Sequence, residues 1–160
     1  SQSGHLLAAQ PLAQLIGNLS AGKLGAIPGS AAHWLPLVSV DFLVALMVAA
    51  AFDPEQAGRQ VLALDERTPN LHGLLQVLAE ALAVKAPQRH MPIGVLRMLL
   101  KFPGAQRLLN TDAESLDFIQ TTRFDTAATQ ALARKHQLMW PDLPEALQAT
   151  ARYVTGQLRD

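Results

Sequence analysis

Cysteine is absent from this chain of 160 residues. The sequence therefore offers neither a disulfide framework nor a thiolate metal site, and its composition fits a reducing, cytoplasmic location. Charge is also scarce, since 16% of the residues are charged and the formal net charge is zero. A general nucleic-acid-binding protein would be basic, so we expect no nucleic-acid partner. With 49% apolar residues, residues 1–160 are expected to form a single domain with a sizeable core.

The first third of the chain is almost without charge. Residues 1–52 carry only Lys23 and Asp41. Two interpretations stay open: a well-buried N-terminal half, or a surface that protein outside this chain covers. The opening residues lack the basic start and cleavage site of a signal peptide and read as a loop already under way. The apolar run 38–52 spans about 15 residues and contains an acid, whereas a membrane span needs about 20, so we expect no membrane partner.

That apolar run contains the best-defined local pattern. Leu35–Val40 is rich in β-branched residues and predicts a short buried strand. Asp41 then predicts the cap of an apolar helix that runs to Phe52, since its carboxylate can accept from free N–H groups of the first turn. A helix that is apolar all round needs cover on most sides. A second strand is predicted at Arg59–Leu64.

The rest of the chain predicts helices. Pro11 and Gly22 bound the first, and Thr68 is the predicted cap of another that extends to Leu82. Asp142 with Glu145 forms the pattern of a capping box for the last. The predicted helices lie at 11–21, 41–52, 68–82, 92–102, 105–109, 112–120, 126–137 and 142–158. The expected fold class is thus mainly α with two short strands, an α/β fragment.

Several catalytic and cofactor motifs are missing. Tyr153 is the only tyrosine, and Gln157 stands four residues later, so no Tyr-x-x-x-Lys pair exists. The five histidines are scattered without zinc-site spacing, and there is no Gly-x-Ser-x-Gly elbow. Gly22, Gly25 and Gly29 follow a helix and precede a loop, which is the wrong context for a phosphate-binding loop. No catalytic, metal or cofactor-binding residue is assigned.

Two segments are candidates for substrate binding. His33, Trp34 and Leu35 place an aromatic pair on a loop beside an apolar segment, and such a loop can line an apolar ligand pocket. The alternative is that Trp34 closes the core. Between residues 81 and 111 the chain carries five cations and no acid, of which Arg89 and Arg97 are candidates for a phosphate-bearing ligand or an acidic partner. The alternative there is an ordinary solvated face.

The stretch 38–82 resembles the C-terminal part of the extended short-chain dehydrogenases/reductases. This group includes the NAD-dependent epimerase/dehydratases and the thioester (fatty acyl) reductase-like proteins. The likeness lies in the Val38-Ser39-Val40-Asp41 segment that enters a helix, the Gly58–Leu64 segment, and the leucine-rich helix that begins at Thr68. Residues 123–154 are similar to the closing segment of the family, and residues 1–4 to the remainder of its Gly-Asp-Ser loop.

The resemblance implies a C-terminal, substrate-binding lobe of a Rossmann-type reductase without its nucleotide-binding half. NAD or NADP would then bind chiefly to an N-terminal cofactor lobe, which is the expected partner. The parent reaction would be hydride transfer involving a carbonyl, in carbonyl or thioester reduction or in epimerase/dehydratase chemistry. The apolar loop with His33 and Trp34 favours an acyl or other apolar substrate over a sugar nucleotide, and the cations at 85–107 could then bind a phosphopantetheine carrier or coenzyme A. The chain alone would be inactive. The alternative is a non-enzymatic helical module that forms a homodimer through its apolar half.

Overall fold

A computed structural model describes residues 10–102 and 113–157, with only the backbone at 113–115. This part of the chain is mainly helical, with a single pair of short strands, as expected. Its six α-helices are α1 (Pro11–Ser20), α2 (Val40–Phe52), α3 (Leu71–Leu82), α4 (Ile93–Leu99), α5 (Ala127–Lys135) and α6 (Leu143–Gln157). The strands are β1 (Ile27–Pro28) and β2 (His90–Met91), and 3₁₀ helices occupy Pro54–Gln56 and Ala113–Phe118.

The main core lies where α1, α3 and α6 pack together. α1 and α3 are amphipathic, and the residues at helical spacing on their apolar faces are fully buried between the helices. The centre of the core is formed by side chains that are inaccessible to solvent, namely Ile16, Leu74, Leu75, Leu78 and Ala151. The leucine stripe of the third predicted helix thus faces the core.

A second, smaller core joins α2 to α5. Phe42 and Leu46 on the inner face of α2 contact Leu132 and Ala133 on α5. The Phe42 ring stacks on Trp140 with 3.8 Å between the centroids. On the opposite face of α2, the described part of the chain provides no such cover. We call it the α2 outer face; it consists of the exposed residues Val40, Val44, Met47, Val48 and Phe52.

Both strand predictions were wrong in position. Leu35–Val40 is irregular up to Ser39 and helical from Val40, and Arg59–Leu64 is irregular throughout. A single hydrogen bond links the first segment to the residue that follows the second, from the Asp65 N–H to the Leu37 carbonyl (3.0 Å). A strand needs a repeated ladder of such bonds, and a single bond does not make one.

The observed strands lie in segments that the sequence indicated as a loop and as a break between helices. β1 and β2 pair in parallel, with Ile27 opposite His90 and Pro28 opposite Met91. The N–H groups on either side of Pro28 make the ladder, since Ile27 donates to the Arg89 carbonyl and Gly29 donates to the Met91 carbonyl (both 2.7 Å). Proline has no N–H, and here its position in the register requires none.

Helix starts were predicted to within a few residues, but two caps were wrong. Ser39, not Asp41, caps α2 by accepting from the Phe42 N–H, and Asp41 lies in the first turn. Asn70, not Thr68, caps α3, because the Thr68 hydroxyl instead donates to the Asp65 carbonyl. The helix predicted at 92–102 ends at Leu99, and the one predicted at 126–137 ends at Lys135. Within the stretch predicted as a helix at 112–120, Ala113–Phe118 is a 3₁₀ helix, and the helix predicted at 105–109 lies outside the described residues.

Candidate ligand-binding site

A cavity of about 490 Å³ opens beside the strand pair. Its walls come from α1, the loop before β1, the start of α3, β2, α4 and the second 3₁₀ helix. Its size is in the range of small-molecule sites. The apolar part of the wall is built mostly from leucines, namely Leu15, Leu24, Leu35, Leu71, Leu96 and Leu116.

Among the described residues, the polar groups that line the cavity include two cations and no acid. Lys23 and Arg89, both exposed, lie among its lining residues with His90, and α1 contributes Gln14 and Asn18. The strand pairing places Arg89, because its carbonyl accepts from the Ile27 N–H. A lining that combines leucines with two cations suits a ligand with an apolar body and an anionic group.

Two of the five predicted site residues, Leu35 and Arg89, line this cavity. Arg97 lies on α4 but does not line it, because its guanidinium donates to the Asp117 carboxylate on the second 3₁₀ helix. Its neighbour Leu96 lines the cavity instead. Successive helical residues point about 100° apart, so adjacent positions on α4 serve different surfaces.

Trp34 and His33 lie outside the cavity lining. Trp34 is 2% exposed, and its indole N–H donates to the Thr122 carbonyl at 3.0 Å. The Arg123 guanidinium carbon stands 4.1 Å from the centre of the indole ring, which is cation–π distance. Backbone bridges tie Trp34 to Asn70 and to Gln120. These contacts support the interpretation in which the tryptophan closes the core.

His33 is held by a local turn. Its Nδ1 accepts from the backbone N–H of Ser30 at 2.9 Å, so this nitrogen carries no proton and a neutral ring has its proton on Nε2. The ring lies against Gly29, where an added Cβ would be 2.5 Å from the His33 Cγ. Gly29 also has a positive φ of 87°. The turn therefore requires glycine at this position.

Sequence reasoning missed most of the cavity. Leu15 lies within the first predicted helix, and Lys23 and Leu24 lie among the glycines at 22–29; none of the three was identified as a binding residue. One feature of the sequence could have indicated the cavity: the residues between the glycines at 22–29 are mostly apolar, and a solvated loop does not need apolar residues. Their convergence on β2 depends on pairing between distant segments, which local patterns do not reveal.

A separate polar cluster joins the end of α2 to the end of α5. The buried Asp53 carboxylate accepts from Lys135 Nζ at 2.8 Å and contacts His136 Nε2 at 2.9 Å, and it also accepts from the Glu55 N–H. Hydrogen bonds from Lys135 and His136 hold the pKa of Asp53 well below its ordinary value of 3.8. The bond with Asp53 likewise raises the pKa of Lys135. The cluster is an ion-paired link between the two elements.

Metal binding, membrane spanning and the tyrosine–lysine motif can each be examined in the described residues. Across the described ranges 10–102 and 113–157, no group of three or more histidine or acidic side chains could hold a metal ion. In the same part of the chain, no helix is both long and apolar enough to cross a bilayer. Tyr153 has its hydroxyl bonded to the Gln157 amide at 2.9 Å, in the position where a Tyr-x-x-x-Lys pair would have lysine.

Comparison of the chain with protein-family models, with curated proteins and with solved structures found no match. The function is therefore inferred from the cavity, from the exposed surfaces and from the family resemblance of the sequence.

Proposed function

We propose that this chain is the substrate-binding lobe of an NAD(P)-dependent oxidoreductase of the extended short-chain type. The cavity beside the strand pair is the observation that carries the proposal. Its leucine walls would take the acyl chain of a thioester, and Lys23 and Arg89 would bind the phosphates of coenzyme A or phosphopantetheine. A sugar nucleotide would instead need many polar contacts for its hydroxyl groups, and the walls are mostly apolar.

The α2 outer face supports a partner lobe. Met47 is 61% exposed and Phe52 83% exposed, on a helix whose one charged residue, Asp41, is near its start. Exposed apolar surfaces of this kind mark contact with another protein surface. In the proposed enzyme this face would lie against the NAD(P)-binding lobe, which would also supply the catalytic tyrosine and lysine. A Tyr-x-x-x-Lys encoded in frame ahead of Ser1 is the expected finding.

Ligand titration of the purified chain tests the cavity. Isothermal titration calorimetry should show saturable binding of a medium-chain acyl-coenzyme A and weaker binding of free coenzyme A. Arg89→Gln should weaken the acyl-coenzyme A complex roughly tenfold or more, because a hydrogen bond to a charged group contributes about 1.5–3 kcal/mol. Arg59→Gln, an exposed arginine outside the cavity, is the matched control and should leave affinity unchanged.

Two results would contradict the proposal. One is the absence of saturable acyl-coenzyme A binding, and the other is tighter binding of a sugar nucleotide such as UDP-glucose. Measurable NAD(P)H-dependent reduction by the purified 160-residue chain would contradict the assignment of catalysis to another lobe.

The α2 outer face also supports a second candidate, a non-enzymatic module that forms a homodimer. An apolar face without charge can meet a copy of itself at no cost of buried charge. Light scattering separates the candidates. A stable dimer that becomes a monomer in the double variant Met47→Ser, Phe52→Ser favours the dimer module. A monomer that binds acyl-coenzyme A favours the reductase lobe.

A further inference from the structure

A second exposed apolar surface lies on α4. Val95, Met98, Leu99 and Phe102 project into solvent from this helix and the turn after it, with Met98 58% and Phe102 60% exposed. The second 3₁₀ helix packs beside α4 and adds Phe118. We call these five residues the α4 surface. It belongs neither to the cavity lining nor to either core.

The α4 surface is bordered by positive charge. Arg97 and Lys101 lie within it along the chain, and the exposed Lys85 and Arg89 precede it through β2. From residue 81 to residue 102 the sequence contains no acid. Asp117, on the neighbouring 3₁₀ helix, is bonded to Arg97. The remaining three cations therefore have no acidic neighbour within their own segment of the chain.

We propose that the α4 surface docks onto an anionic lipid bilayer. Long apolar side chains would enter the boundary between headgroups and acyl chains, and Lys85 and Lys101 would contact lipid phosphates. This combination of a short apolar face with flanking cations is typical of interfacial binding. Each cation near an anionic membrane contributes roughly fivefold in affinity.

An acidic protein partner is the competing occupant. A protein helix would need a groove to receive it. The apolar residues of the α4 surface instead protrude singly and line neither cavity identified in the described part of the chain. Protruding side chains enter a fluid lipid layer without a complementary shape, so the observations favour the bilayer.

The sequence led us to expect no membrane partner because the apolar run 38–52 is too short to span a bilayer. Docking of the α4 surface onto a bilayer is a different mode of contact. Docking through α4 requires no membrane-spanning helix. It would also bring the cavity close to the lipid, because α4 contributes Leu96 to the cavity wall. The inference does not depend on the proposed reductase function.

Vesicle sedimentation tests the proposal with the full chain. Vesicles of phosphatidylcholine mixed with phosphatidylglycerol should bind the chain, and binding should weaken as salt is raised. Vesicles of phosphatidylcholine alone should bind it at least tenfold more weakly, since two or more cations at about fivefold each are involved. Met98→Ser with Phe102→Ser should reduce binding to the anionic vesicles at least tenfold.

Met139 provides a matched control. It is 89% exposed and belongs neither to the α4 surface nor to the α2 outer face, so Met139→Ser should leave vesicle binding unchanged. A circular dichroism spectrum of each variant confirms that it is folded. Equal binding of the α4 variant and the wild-type chain would overturn the proposal, and so would equal binding to neutral vesicles. Binding to an acidic protein such as an acyl carrier protein, without binding to vesicles, would also overturn it.

Discussion

Replacing Trp34 with phenylalanine distinguishes a core residue from a ligand-contacting residue. The substitution removes the indole N–H that donates to the Thr122 carbonyl. Loss of that donor costs about 1–3 kcal/mol if the carbonyl stays buried. Phenylalanine also lacks two of the indole carbons, which at about 0.8 kcal/mol per buried carbon adds roughly 1–2 kcal/mol. The expected loss in the free energy of unfolding is therefore about 2–5 kcal/mol.

Urea unfolding followed by circular dichroism measures this loss. With an m-value of about 2 kcal/mol/M, the midpoint of the Trp34→Phe variant should fall by roughly 1–2.5 M. Acyl-coenzyme A affinity at low urea should remain close to that of the wild-type chain, because Trp34 is not among the cavity lining residues. Trp140→Phe is the control, with a smaller expected loss, because the ring is only partly buried and phenylalanine can still stack on Phe42.

A different pattern of results would refute this reasoning. If Trp34→Phe lowered the free energy of unfolding by less than about 1 kcal/mol and abolished ligand binding, the tryptophan would be a binding residue.

Two further substitutions test local structure. Gly29→Ala should lower the free energy of unfolding by about 1–3 kcal/mol, because the position has a positive φ and its Cβ would overlap the His33 ring. Gly25→Ala is the control and should change thermal stability little, because a Cβ there meets nothing within 4 Å. Equal losses in the two variants would contradict the explanation. Asp53 has a lowered pKa in the folded chain, so its charge stabilises the fold above pH 3.8 and this stabilisation is lost as the pH falls below that value. Thermal melting between pH 6 and pH 2 (roughly the range over which carboxylates titrate) should therefore show a smaller fall in melting temperature for Asp53→Asn than for the wild-type chain. An equal fall in both would exclude this carboxylate as a source of the pH dependence.

The sequence predicted those parts of the fold that depend on local signals. Pro11 and Gly22 bounded the first helix correctly, with the glycine at a φ of 66° after the helix end. The Asp142 side chain accepts from the Glu145 N–H, as the capping-box pattern predicted. The strand positions were predicted wrongly because pairing between Ile27 and His90 depends on how α1, α3 and α4 are arranged. Local periodicity contains no information about that arrangement.

The candidate site was predicted in part for a comparable reason. Leu35 and Trp34 are neighbours in an extended segment, where successive side chains point to opposite sides. One therefore reaches the cavity while the other packs against Phe124 and Arg123. A pattern can identify an aromatic loop, but it cannot say which side of the chain faces the ligand.

The position of α6 has a consequence for biosynthesis. α1 and α3 both pack on α6, which is the last helix of the described chain. A ribosome releases residues in order from the N-terminus, so the leucines of α1 and α3 emerge well before the surface of α6 that buries them. The main core can therefore close only after α6 has been synthesised.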